Sequence, residues 1–137
     1  MMGVPILIVN SDSAARKNLR QPLESAGYTI LEADNVEDGL ALLRTSESAM
    51  VTLFKVALFN NVISGTDGIA FLGAAMHDAR LGRRHAFIVV TPTPDHLTAA
   101  LGRLLAYLSI PVLAEPFGAD DLLNAIDQVT RFQFIAV

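Results

Sequence analysis

Pro5-Ile6-Leu7-Ile8-Val9-Asn10-Ser11-Asp12-Ser13 is the stretch that decides the fold. Its four apolar residues, Ile6 to Val9, lack the alternation of a strand with one wet face, so they read as a strand buried on both sides. The polar residues that follow carry turn and N-cap chemistry. They open a helix that runs to about Ala26 and is closed by Gly27. Pro22 lies inside that helix, where its missing N–H is expected to kink the last turn.

The same unit recurs along the chain. Residues 28–31 read as a second strand, and Val36, Leu40, Leu42 and Leu43 give a short helix an apolar side, with Asp34 or Asn35 as its cap. Residues 54–59 form the third apolar run. Asp67-Gly68 then opens a helix bearing Ile69, Phe71, Leu72, Ala75 and Met76, with its end near Leu81-Gly82. Residues 86–90 read as the fourth strand, 94–108 as the fourth helix and 111–114 as a short fifth strand. The last helix starts at Gly118 and repeats Ala119, Leu122, Leu123, Ile126 and Val129 on one face. Strands joined by helices of this length must run parallel, through right-handed crossovers. The expected fold is therefore α/β, a doubly wound five-stranded parallel sheet of flavodoxin-like order 2-1-3-4-5 with helices on both faces. Its site should lie beyond the carboxyl ends of the first and third strands, which carry Asn10, Ser11 and Asp12, then Asn60 and Asn61.

Composition narrows the function classes. At 137 residues, with 52% hydrophobic and 18% charged, the chain fits one folded domain and excludes a disordered segment. No apolar run reaches the roughly 18 residues that would cross a bilayer, and the first residues lack the basic region of a signal peptide. A cytoplasmic location with no membrane partner is expected. The absence of cysteine removes disulfides, thiolate catalysis and cysteine-held metal. A net charge of -4 argues against a nucleic-acid partner, and the basic cluster Arg80, Arg83, Arg84 and His85 reads as a solvated loop. His77, His85 and His96 have no metal-ligand spacing and are read as surface residues, so no metal site is expected. The first turn, Asn-Ser-Asp-Ser, has no glycine that would let a pyrophosphate approach the backbone, and no Ser-His-Asp or paired-carboxylate set stands at the strand ends.

Taken together, Ile-Leu-Ile-Val with its polar triplet, Ala26-Gly27-Tyr28-Thr29-Ile30, Ser64-Gly65-Thr66-Asp67-Gly68 and Glu115-Pro116-Phe117-Gly118-Ala119 resemble the receiver domains of response regulators (CheY-like) along nearly the whole chain. On this resemblance residues 1–131 form the receiver-like domain and 132–137 an apolar tail. It implies two acidic residues after the first strand, an aspartate nucleophile after the third, a Thr or Ser after the fourth and a Lys before Pro-Phe. Matched by position, the chain offers Asn10 and Ser11 for the acidic pair, Asn60 for the nucleophile, Thr91 for the hydroxyl and Glu115 for the lysine. Only Thr91 fits. An amide has no anionic oxygen to attack phosphorus, Mg²⁺ needs carboxylates of which Asp12 alone remains there, and Glu115 would repel an anion. The family's aromatic switch position corresponds to Val112, and Thr91-Pro92-Thr93-Pro94 should make a stiff loop. The resemblance also implies a cis Glu115-Pro116 bond.

The site residues have plainer readings too. Asp12 and Asp67 suit helix capping or turns better than metal ligation or phosphoryl acceptance, and Thr91 suits a local backbone bond better than modification by a kinase. Glu115 either pairs with Arg16 or Lys17 or is solvated. The expectation is a pseudo-receiver: no catalytic residues, no cofactor and at most weak Mg²⁺ binding, acting on a protein partner such as a sensor kinase. Two alternatives stand beside it, a phosphorelay receiver with another acceptor and a small polar-ligand sensor using Asn10, Ser11 and Asn60. The fourth helix is more apolar than one sheet contact requires. Receivers of this type commonly pair through the fourth helix, fifth strand and fifth helix; a homodimer there is weighed equally against a folded-back tail or a seam to another domain.

Overall fold

The computed structural model describes residues 4–55, 57–59, 62–64, 68–92 and 99–133. Its elements in chain order are β1 (Ile6–Val9), α1 (Ser13–Ser25), β2 (Ile30–Ala33), α2 (Val36–Thr45), β3 (Val51–Lys55), β4 (Ala57–Phe59), β5 (Val62–Ser64), α3 (Gly68–His77), α4 (Ala79–Arg84), β6 (Ala86–Thr91), α5 (Ala99–Tyr107), β7 (Val112–Ala114) and α6 (Ala119–Gln133). Five strands form one parallel sheet in the order β2-β1-β3-β6-β7. That is the order 2-1-3-4-5 expected from the sequence, with an antiparallel pair, β4 and β5, added after the third sheet strand.

β1 and β6 are buried along their whole length, and so are the first four residues of β3, Val51 to Phe54. Such strands need cover on both faces, and alternate side chains supply two cores. On one side Leu7, Val9, Phe54, Phe87 and Val89 meet Leu40 and Leu43 of α2, Phe71, Leu72 and Ala75 of α3, Leu81 of α4 and Leu105 of α5. Phe54, Phe71 and Phe87 form a ring cluster there, with centroids 5.3 to 6.3 Å apart. On the other side Ile6, Ile8, Val51, Leu53, Ile88 and Val90 meet Leu19 and Leu23 of α1 and Leu122, Ile126 and Val129 of α6. Gly39 lets α2 press onto the sheet: a Cβ there would lie 3.0 Å from Val9 Cγ2 and 3.3 Å from Phe71 Cε1. Gly27 ends α1 with φ 97°, a conformation costly for any residue with a Cβ.

Several expectations need correction. The third apolar run is not one strand over 54–59; β3 stops at Lys55, and residues 57–59 pair back with 62–64. The helix expected from Asp67 to Leu81 is two helices, because Asp78 caps a new one by accepting from Arg80 N at 3.0 Å. The basic cluster is therefore largely helical: Arg80 and Arg84 lie in α4 and are exposed. His85 is no surface residue. Only 3% exposed, its Nδ1 accepts from Met50 N at 3.0 Å and its Nε2 lies 3.1 Å from Leu43 O, which fixes the neutral form with the proton on Nε2. His77 is exposed, as expected, whereas His96 and Asp67 lie outside the described residues. Pro22 sits within α1, which continues through it to Ser25.

Two predictions follow from this core. Thr52 is fully buried on the aromatic side of the sheet and its Oγ1 has no hydrogen-bond partner. Thr52→Val keeps the shape and removes an unmatched hydroxyl, so urea denaturation should show stabilisation by about 1–2 kcal/mol; a loss of stability would mean the hydroxyl is satisfied. Burial lowers the pKa of His85, an effect the Leu43 carbonyl partly opposes and Arg84 reinforces. The unfolded chain therefore takes up the proton first, so this stabilisation is complete above about pH 6.5 and declines as pH falls toward the folded-state value. NMR titration should find the His85 ring neutral at pH 6.5, with the unfolding midpoint dropping on further acidification; a ring titrating at or above 6.5 would contradict this.

Candidate functional site

The carboxyl ends of β1, β3, β6 and β7 are brought together by the sheet order. At the end of β1, Asn10 is buried, and its Oδ1 accepts from Asp12 N at 2.9 Å, so its side chain builds the turn. Its carbonyl accepts from Arg16 Nη1 at 2.6 Å. Asp12 is the N-cap of α1, with Oδ1 accepting from Ala14 N at 2.9 Å and Ala15 N at 3.4 Å. That agrees with the capping role read from the sequence. Ser11 is exposed. Arg16 donates through Nε to Glu32 on β2, and Arg20 bonds the other oxygen of the same carboxylate, so these arginines brace α1 against the edge strand.

At the end of β3 stands a residue that the sequence reading passed over. Val9 pairs with Phe54, and the next residue on β3 after Phe54 is Lys55, which also pairs with Val90 of β6. The position beside Asn10 is therefore held by an amine. Asn60, read from the sequence as following the 54–59 run, falls in sequence between β4 and β5 and lies outside the described residues, as does Asn61. The 54–59 run is divided: β3 ends at Lys55, and the pair β4 and β5 follows it. The signal was present in the sequence: Ala57-Leu58-Phe59 and Val62-Ile63-Ser64 flank Asn60-Asn61, a hairpin pattern, while Lys55 ends an apolar run.

Glu115 follows β7 through a backbone bond from its N to Thr91 O at 2.8 Å, and its peptide bond to Pro116 is cis, as the resemblance implied. Its carboxylate does not pair with Arg16 or Lys17. Its partner is Lys55, with Nζ 3.9 Å from Oε1. Both side chains are partly exposed, yet Oε1 itself is buried and has no hydrogen bond, so Lys55 answers it as a charge at ion-pair distance. Thr91 is buried at the end of β6. Val112, on edge strand β7, is 39% exposed, and Leu104 and Tyr107 on α5 are 45% and 83% exposed. The Thr93-Pro94 part of the expected stiff loop lies outside the described residues. Among the described residues no group of three or more His, Asp or Glu could hold a metal ion, and no helix is long and apolar enough to cross a membrane.

No protein-family model matches the chain, and no curated protein matches it. Solved structures do. A CheY-like response regulator receiver domain protein from Methanospirillum hungatei JF-1 superposes with a TM-score of 0.73 at 22% identity, covering 98% of this chain and 99% of that one. A response regulator receiver domain protein from Clostridium thermocellum gives 0.73 at 20% identity, with 98% and 99% covered. The signal receiver domain of an HD domain-containing protein from Pseudomonas fluorescens Pf-5 gives 0.70 at 22% identity, with 96% and 97% covered. The chain thus has the fold of the CheY-like response regulator receiver domains.

Proposed function

We propose that this chain is a receiver-like signalling module that does not accept a phosphoryl group and acts by binding other proteins. The observation that carries this reading is the Lys55–Glu115 pair. In the receiver pattern the strand end now held by Lys55 carries the attacking aspartate, and the place of Glu115 carries the lysine that meets the phosphoryl oxygens. Both charges are reversed. A protonated amine offers no lone pair to phosphorus, and a carboxylate beside the incoming anion opposes it. Of the carboxylates that Mg²⁺ would need, Asp12 spends Oδ1 on capping α1 and Glu115 faces the Lys55 ammonium. The residues do not fit a Mg²⁺ site, and enzymatic activity is not part of this proposal. The neutral-pocket sensor loses support as well, because Asn10 Oδ1 is used by the Asp12 amide.

The output surface we assign is the exposed apolar face of α5 and β7, with Leu104, Tyr107 and Val112. Tyr107, with an apolar ring and a polar tip, is a residue type enriched at the centres of protein interfaces. A second copy of the chain or another signalling protein in the cytoplasm would cover it. One of the structurally similar proteins is the receiver domain of a hybrid histidine kinase, CckA, and a kinase of that kind is the class of partner we infer. Incubation with acetyl phosphate and Mg²⁺ tests the reading when intact mass and light scattering are recorded together. We expect no phosphoryl adduct, and an apparent mass that rises with protein concentration equally with and without acetyl phosphate. A phosphoryl adduct would overturn the proposal, and a monomer at every concentration would remove the homodimer from it.

A further inference from the structure

β3 and β7 lie on opposite sides of β6, so with adjacent strands about 4.8 Å apart their ends are separated by about 10 Å. Lys55 and Glu115 can meet only by reaching across the end of β6, where Thr91 lies. We propose that this ion pair is an electrostatic clasp that ties three strand ends together and holds the apolar face of α5 and β7 in one arrangement without any modification. The proposal rests on the reading above that the pocket takes no phosphoryl group, and it names what replaces that group.

Three observations lead from the pair to β7, and Ile110 N, which bonds Leu105 O at 2.8 Å just before β7, joins that strand to α5. β7 is an edge strand of only three residues, Val112 to Ala114, paired on one side alone, so its position depends on what fixes its ends. Its carboxyl end is fixed twice at Glu115, by the backbone bond to Thr91 O and by the side-chain pair with Lys55. Its amino end is fixed by Val89 N, which bonds Pro111 O at 3.0 Å beside the exposed Val112. Releasing the Glu115 side chain would leave that end with its backbone bond to Thr91 O alone. The buried Oε1 has no other ion pair among the described residues, so loss of Lys55 leaves a carboxylate that must move toward water. Because the side chains of the pair are 25% and 31% exposed, the clasp should be sensitive to salt.

The test is a cycle of Lys55→Met, Glu115→Gln, both together, and the swap Lys55→Glu with Glu115→Lys, read by amide shifts and urea unfolding. We expect each single variant to shift the amides of Leu104, Tyr107 and Val112, and to raise the unfolding constant about two- to fivefold. The double variant should add nothing further, and the swap should return the shifts toward wild type. Additive effects, or shifts confined to residues touching Lys55 and Glu115, would overturn the clasp. Should a variant fail to fold, wild-type spectra in about 1 M NaCl, where the screening length is about 3 Å, serve instead. Movement of the same three amides supports the clasp, and their constancy overturns it. A phosphoryl adduct by intact mass would sink the functional reading while leaving this cycle interpretable.

Discussion

Burial of β1, β3 and β6 on both faces is the constraint from which the rest of this structure follows. A strand with two apolar faces can keep its backbone polar groups satisfied only inside a sheet covered by helices on both sides. Parallel pairing then sends every connection over a face and leaves the carboxyl ends as the place where polar side chains gather. Asn10, Lys55, Thr91 and Glu115 meet there because each is the residue that ends, or directly follows, a strand of that sheet. The site is a consequence of the core.

Its polar residues mostly answer one another. Asn10 closes the turn onto the Asp12 amide, Asp12 caps α1, Arg16 ties the turn to Glu32, and Lys55 answers Glu115. A site built to bind an anion keeps its cation available and its carboxylates directed at a metal. In this arrangement Arg16 and Arg20 face Glu32, and Lys55 faces Glu115. On the proposed reading, the feature that invites a contact is the exposed apolar face of α5 and β7.

Much of the fold was readable because it depends on periodicity. Ile6 to Val9, the α6 repeat through Leu122, Ile126 and Val129, and the Asn35 cap, which accepts from Asp38 N, each behave as their spacing implies. What escaped was set by long-range contacts. Nothing local in Arg84-His85-Ala86 tells that the imidazole turns inward to join α2 and β3; its partners, Leu43 and Met50, lie 42 and 35 residues away. The site was half readable for a related reason. Asn10, Asp12, Thr91 and Glu115 lie at or just after strand ends, as their short loops imply, whereas the third apolar run, read as 54–59, is divided between β3, which ends at Lys55, and an inserted pair of strands. Reading 54–59 as one strand hides Lys55 inside it, and with it the charge that faces Glu115.

The most direct test of an internally neutralised pocket is NMR mapping of the protein with millimolar Mg²⁺ and beryllofluoride, a phosphoryl mimic that needs no kinase. The amides of Asn10, Lys55 and Thr91 are expected to stay where they are, with Tyr107 and Val112 equally unmoved. Saturable shifts at the strand ends, carried through to Tyr107 and Val112, would mean that the pocket still binds metal and phosphoryl groups, and would contradict the account.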